Sequence, residues 1–112
     1  MKRSFITHND SSDININFTQ LQGTIQASQR QLEAAFGAPA TPANGDNVTT
    51  TWNILFADDV VATLYDWGKR NVDPAETIVW NIGGRAPHGR EAVELVHARF
   101  REANGLGARS AA

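Results

Sequence analysis

The fold is decided by the stretch Thr49-Thr-Thr-Trp-Asn-Ile-Leu-Phe56, Asp58-Asp59, Val60-Val-Ala-Thr-Leu-Tyr-Asp-Trp67. β-Branched and aromatic residues on both sides of a short polar break are the usual signal of a β-hairpin. Asp accepts positive φ better than most residues but less readily than Gly. We therefore expect a tight two-residue turn at Asp58-Asp59, with a slightly longer loop as the alternative.

A two-residue turn fixes which side chains share a face of the hairpin. The pairs expected opposite each other are Phe56–Val61, Ile54–Thr63 and Trp52–Tyr65. Because side chains alternate along a strand, the other face would carry Leu55, Ala62 and Leu64 as an exposed apolar strip. Burial of that strip between two copies predicts a homodimer with these three residues in its interface. A reversed register would expose the aromatic residues instead, and an N-terminal arm folded over the sheet is the competing cover.

The remaining elements define an α+β chain. Ser28-Gln-Arg-Gln31 is a capping box that starts a short helix, and Gly37 ends it. A strand-like segment precedes this helix, and Thr77 to Ile82 forms a third strand after the hairpin. A second helix is expected from about Pro87 to Asn104. The order is (β)βα-βββ-α, a small antiparallel sheet of three to four strands with two helices packed on one face.

The chain has the length of one domain. Its 112 residues are sufficient to bury a core without disulfides or metal. We expect a flexible N-terminal arm over residues 1–17, a single α+β domain over 18–106 and a frayed tail over 107–112. A loose edge strand within the arm is the alternative, because isolated Phe5 and Ile6 interrupt its polar composition.

Composition narrows the class of protein. Ten basic and twelve acidic residues give a formal charge of −2, which does not favour nucleic acid as a partner. The absence of cysteine excludes thiol catalysis and thiolate metal sites. No apolar run approaches the roughly 20 residues of a membrane span, and the N-terminus does not resemble a signal peptide. The sequence therefore predicts a cytoplasmic protein that does not bind a membrane.

One segment has the residue types of an anion site. Gly83-Gly84-Arg85 leads from a strand to a helix start, with His88 and Arg90 nearby. Free backbone N–H groups and cations at a helix N-terminus are how proteins hold phosphate. The alternative is that the two glycines only make the turn and that the arginines are solvated.

No pattern of catalytic or metal-binding residues stands out. The carboxylates that a hydrolase would use are predicted to face solvent in turns and loops: Asp58, Asp59, Asp66, Asp73 and Glu76. The three histidines have no metal-binding spacing, so no catalytic residue, cofactor or metal is predicted. The tryptophans are expected to pack in the sheet, with stacking on a base as the alternative.

Five blocks of the chain, in order, carry a resemblance to a known group. They are Leu32-Glu-Ala-Ala-Phe-Gly37, Trp52-x-Ile-x-Phe56, Asp59-x-Val-Ala-Thr-Leu-Tyr-Asp-Trp67, Trp80-x-Ile-Gly-Gly84 and Ala92-Val-Glu-Leu-Val96. With these blocks the chain resembles small bacteriophage-encoded accessory proteins of unassigned function, over about Leu21 to Val96. The turn departs from the pattern, because Asp58-Asp59 stands where the resemblance leads us to expect Asp-Gly.

The resemblance implies a function by context alone. Small phage proteins of this size are often accessory factors that bind and inhibit host machinery. We therefore expect a non-enzymatic protein that binds and inhibits or sequesters a host bacterial protein, with defence components, as in anti-CRISPR-like inhibition, among the candidates. The alternative is a nucleotide or anion binding module that uses Gly83, Gly84, Arg85, His88 and Arg90.

Overall fold

The structure is a computed structural model that describes residues 5–11, 13–41, 49–66 and 73–106. Trp67, the predicted tail 107–112 and residues 1–4 of the predicted arm lie outside the described residues. Five strands and two helices follow one another along the chain. They are β1 (Phe5–Thr7), β2 (Gln20–Ser28), α1 (Gln29–Phe36), β3 (Thr51–Phe56), β4 (Val61–Tyr65), β5 (Thr77–Gly84) and α2 (Gly89–Ala103).

The strands form one antiparallel sheet in the order β1-β3-β4-β5-β2. Both helices pack on one side of it, which we call the inner face, and the opposite side is the outer face. The predicted α+β class is confirmed, with five strands where three to four were expected. No helix among the described residues is long and apolar enough to cross a membrane.

The helices begin and end largely where the sequence indicates. The Ser28 side chain accepts from the Gln31 N–H while the Gln31 side chain accepts from the Ser28 N–H, so the predicted capping box is present. Gly37 ends α1 at a φ of 84°. The second helix starts at Gly89 rather than Pro87, after a cis Ala86–Pro87 peptide.

Two tryptophans form the centre of the core. Trp52 on β3 and Trp80 on β5 are buried and meet edge to face, with ring centroids 5.5 Å apart. Their indole N–H groups donate to the carbonyls of Gly37 and Ala27 at 2.8 and 2.9 Å. Burying a tryptophan requires such a partner for its N–H group. The described tryptophans therefore pack in the sheet, as the sequence predicts.

The predicted register of the hairpin is wrong by one residue. Asp58 and Asp59 both adopt positive φ, at 64° and 61°, as expected of turn residues. The connection is the slightly longer alternative, a three-residue loop, Ala57–Asp59, closed by the Phe56 N–H on the Val60 carbonyl at 2.8 Å. The extra residue pairs Ile54 with Ala62 and Trp52 with Leu64.

The shifted register moves two of the predicted interface residues into the core. A slip of one residue turns every side chain of a strand to the other face. Ala62 and Leu64 consequently lie on the inner face beneath the helices and are fully buried. Leu55 remains on the outer face and is half-buried. The apolar strip predicted from Leu55, Ala62 and Leu64 does not exist as one surface.

The segment predicted as a flexible arm contains an edge strand. Residues Phe5–Thr7 pair with β3, which is the alternative that the sequence left open. His8 accepts from the Asn53 N–H through Nδ1 at 3.3 Å and contacts the Ala38 carbonyl through Nε2 at 3.0 Å. These bonds tie the turn after β1 to β3 and to the end of α1.

The connection from β1 to β2 must cross the width of the sheet, since the two strands lie at opposite edges. Arg85, directly after β5, donates to the carbonyls of Asn15 and Asn17 at 2.9 and 3.0 Å and fixes the end of this crossing. Val61 and Thr63 on the outer face of β4 are also buried. The middle of the outer face is therefore covered within the chain, whereas Leu21 and Val79 on the same face are exposed.

Asp66 is a buried carboxylate with a structural role, where a solvent-facing one was predicted. Its oxygens accept from the Thr49 N–H at 2.9 Å, the Thr49 hydroxyl at 2.5 Å and the Thr50 N–H at 3.1 Å. Only 3% of Asp66 is exposed. The carboxylate joins the end of β4 to the chain entering β3.

We expect Asp66→Ala to destabilise the fold by about 2 to 4 kcal/mol, because it leaves two backbone N–H groups without an acceptor. Urea denaturation measures this difference in the free energy of unfolding. Asp13→Ala, which removes an exposed carboxylate, is the matched control and should change it by less than about 0.5 kcal/mol. Equal effects of the two substitutions would contradict a structural role for Asp66.

Candidate interaction surface

The two glycines of the predicted anion site lie inside the sheet. Gly83 and Gly84 are paired on both sides, with β2 and with β4. A Cβ at Gly84 would lie 3.0 Å from Gly89 Cα, so this glycine allows the start of α2 to approach the sheet. A Cβ at Gly83 would lie 2.3 Å from the Thr63 hydroxyl on the outer face. Packing therefore requires glycine at both positions, and their backbone N–H and C=O groups pair within the sheet.

The clash between a Cβ at Gly83 and the Thr63 hydroxyl predicts that a second substitution, at Thr63, restores stability to a Gly83 variant. Gly83→Ala should destabilise the protein by about 1 to 3 kcal/mol through overpacking. Thr63→Ala removes the hydroxyl that the new methyl group meets, so the double variant should regain most of that loss. Thermal unfolding of the four proteins gives the coupling. Additive losses would show that Gly83 is required for a reason other than Thr63.

The basic side chains of the predicted site do not converge. Arg85 is bound to the carbonyls of Asn15 and Asn17. His88 contacts Glu91 at 3.0 Å, and Arg90 lies 3.7 Å from Glu94 on the exposed side of α2. Among the described residues, the predicted anion ligands are thus engaged separately, with carbonyls or carboxylates.

The acidic side chains that the sequence analysis considered lie apart in the described part of the fold. Within the described ranges, no three His, Asp or Glu side chains lie close enough together to hold a metal ion. Of the predicted carboxylates, Asp66 is bound by Thr49 and Thr50, whereas Asp58, Asp59, Asp73 and Glu76 are exposed. The described titratable groups include one clear shift: burial raises the pKa of the Tyr65 hydroxyl above its usual range.

The most unusual surface feature is a tight turn that displays an aromatic ring. In the turn Ile16–Thr19, the Thr19 N–H and hydroxyl both donate to the Ile16 carbonyl, at 3.3 and 2.9 Å. Phe18, at the third position of this turn, has a φ of 68°. Positive φ costs a non-glycine residue about 1 to 2 kcal/mol. We call this segment, Ile16–Thr19, the Phe18 turn.

The ring of Phe18 gains almost no burial from this strained position. Phe18 is 86% exposed, and Leu21, at the start of β2, is 60% exposed. Ile16 is 38% exposed. Scattered apolar residues are ordinary on a surface, but three exposed ones within six consecutive residues are a local concentration of apolar side chains. We call Ile16, Phe18 and Leu21 the apolar patch.

Arg85 positions this patch. Its guanidinium binds the carbonyls on both sides of Ile16, and Leu21 lies opposite Gly83 on the outer face. The segment predicted to bind an anion therefore fixes the Phe18 turn against the sheet. The sequence contained one signal for this surface, an isolated Phe and Ile among Asn and Thr residues before β2. The positive φ that makes Phe18 exceptional could not be read from the sequence, because nothing there resembles a glycine turn.

Comparison with known proteins does not assign the chain: no family model matches it, and no curated protein matches it.

Proposed function

We propose that this protein is a non-enzymatic accessory factor of a bacteriophage that binds a host bacterial protein through the apolar patch and thereby inhibits or sequesters it. The exposure of Phe18 in a left-handed conformation carries this proposal. Strain at an exposed aromatic residue that does not stabilise the fold is expected where the residue serves recognition. The phage context rests on the sequence blocks between Leu32 and Val96.

A large aromatic side chain suits this role. Aromatic residues dominate the energy of protein interfaces, and they contribute most when a partner encloses them completely. Phe18 lies at the tip of a turn, where a pocket on a partner can surround the ring. Leu21 and Ile16 flank it, and the Arg85 hydrogen bonds hold the turn in place before binding, which lowers the entropy lost on association.

An anion or nucleotide site at Gly83, Gly84, Arg85, His88 and Arg90 is the weaker proposal. The two glycines are inside the sheet, and the side chains of Arg85, His88 and Arg90 each have a separate partner. Thermal-shift measurements with nucleotides test it, since a ligand at about 100 times its dissociation constant stabilises a protein by about 2.7 kcal/mol.

A homodimer formed through the outer face is the other assembly to be tested. Ala62 and Leu64 cannot contribute to it, but Leu21 and Val79 are exposed on the outer face, at 60% and 46%. Light scattering at micromolar concentration distinguishes the two assemblies. A dimer that Leu21→Asp dissociates would place a second copy on the outer face, whereas a monomer leaves the patch free for a host protein.

Affinity capture from bacterial lysate, followed by an activity assay of the captured protein, tests the proposed function. We expect the wild-type protein to retain one host protein and to inhibit it. Phe18→Ala should lose both properties while keeping the fold, as judged by circular dichroism. Inhibition that survives Phe18→Ala would remove the apolar patch from the mechanism.

A further inference from the structure

The outer edge of β2 is a long strand edge that has neither charged residues nor proline to protect it. β2 spans nine residues, and no described strand pairs with its outer side, whereas β1 at the other edge has only three residues. Natural edge strands are usually kept from pairing with other chains by charged residues, prolines, short length, bulges or a covering helix. In β2 the pairing with β5 is irregular only between Leu21 and Gly23, which leaves a regular edge from Gly23 to Ser28. The segment Gln20–Ser28 contains no charged residue and no proline.

The hydrogen-bonding groups of this edge point outward. The Phe56 N–H donates to the Val60 carbonyl, so the even-numbered residues of β4 bond to β3 and its odd-numbered residues bond to β5. Trp80 and Ile82 of β5 therefore bond to Ile25 and Gly23 of β2. The Thr24 carbonyl, which contacts Nε2 of His97 on α2 at 2.9 Å, points to the opposite side of β2. In an antiparallel ladder the N–H and C=O of one residue point to the same side, and every second residue repeats this direction. Thr24 and Gln26 therefore both present their N–H groups to the open edge.

A groove runs between this edge and α2. Its volume is about 430 Å³, and it is open to solvent. It is lined by Thr24, Ile25 and Gln26 from β2 and by His97, Phe100 and Arg101 from α2. Ile25 and Phe100 give it an apolar floor, while Arg101 is exposed at its rim.

The charged side chain at the rim of the groove is positive, and no described carboxylate pairs with it. The acidic side chains near Arg101 on α2 are engaged elsewhere, since Glu102 binds Arg99 and Glu94 lies beside Arg90. Arg101 forms no ion pair with the described residues. The edge thus has an apolar end next to Phe18 and Leu21 and a cationic side at Arg101.

We propose that an extended segment of the partner protein adds to the outer edge of β2 as a sixth strand, with a carboxylate facing Arg101. This inference rests on the proposed function and specifies how the partner is recognised. The new strand would pair with the N–H groups of Thr24 and Gln26, and its apolar residues would continue onto the patch at Phe18 and Leu21. A second copy of this chain fits less well, because a two-fold axis through β2 would place the cationic end of one copy against the apolar end of the other.

A display library of random 12-residue peptides tests this inference on the full-length protein. We expect selected peptides to carry at least one Asp or Glu and to slow amide hydrogen exchange at Thr24 and Gln26, measured by NMR. Arg101→Glu should weaken their binding at least tenfold. Arg90→Glu makes the same charge change on the same helix, away from the groove, and should change the affinity less than twofold.

Three results would overturn the inference: no peptide is enriched, the enriched peptides leave exchange at Thr24 and Gln26 unchanged, or the protein alone protects these amides by pairing with a second copy. None of these results bears on whether a host protein is captured through Phe18. Conversely, a peptide that pairs with β2 while host capture ignores Phe18 would refute the proposed function and leave the strand-addition site intact.

Discussion

Leu64→Asp should unfold this protein. Leu64 is fully buried on the inner face, opposite Trp52 in the sheet. Replacing a buried leucine by alanine costs about 2 to 5 kcal/mol, and a buried unpaired carboxylate adds to this loss. The sum approaches the whole stability of an ordinary domain, which is about 5 to 15 kcal/mol. Circular dichroism and the dispersion of amide resonances should both show loss of the native structure.

Leu55→Asp is the matched control for this prediction. The substitution is the same and the residue lies on the paired strand, but its side chain points to the outer face. We expect it to fold, with a loss of at most about 2 kcal/mol. A folded Leu64→Asp protein would contradict the register of the hairpin and restore the strip that the sequence predicted.

The second large effect concerns Phe18, where binding and stability are expected to change in opposite directions. Asn adopts positive φ more readily than Phe, so Phe18→Asn should relieve about 1 kcal/mol of backbone strain. In a domain of roughly this size, that change raises Tm by about 4 to 8 °C. The exposed ring contributes little to the fold, so its loss should not offset this gain.

Phe18→Ala distinguishes the effect of losing the ring from the effect of relieving the backbone strain. It removes the same ring but keeps a residue for which positive φ is unfavourable, so its Tm should stay near that of the wild-type protein. Differential scanning calorimetry of the three proteins gives the comparison. A Phe18→Asn protein that is less stable than wild type would mean that the ring packs in the fold and does not serve recognition.

The sequence predicts the elements of this fold well because their signals are local. The capping box at Ser28, the stop at Gly37 and the alternation of Trp52, Ile54 and Phe56 each depend on a few neighbouring residues. The position of the turn was also predicted, since Asp58 and Asp59 both adopt positive φ. What failed was the preference for a two-residue turn over the slightly longer loop, a choice that two adjacent aspartates do not determine.

That single error had a large consequence for the predicted interface. One extra loop residue transfers Ala62 and Leu64 from the outer face to the core, and the homodimer argued from them loses its apolar strip. The candidate site was missed for a different reason. Pairing of Gly83 with Leu21 and binding of Arg85 to the Asn15 and Asn17 carbonyls join segments more than 60 residues apart. No local pattern indicates such contacts.

We propose that the exposed ring of Phe18 binds a partner. Quantitative mass spectrometry of proteins captured from bacterial lysate, with equal amounts of wild-type and Phe18→Asn protein on the resin, tests it most directly. We expect a host protein on the wild-type resin to be reduced at least tenfold on the Phe18→Asn resin, even though the variant is the more stable protein. Equal capture by both resins would contradict the claim.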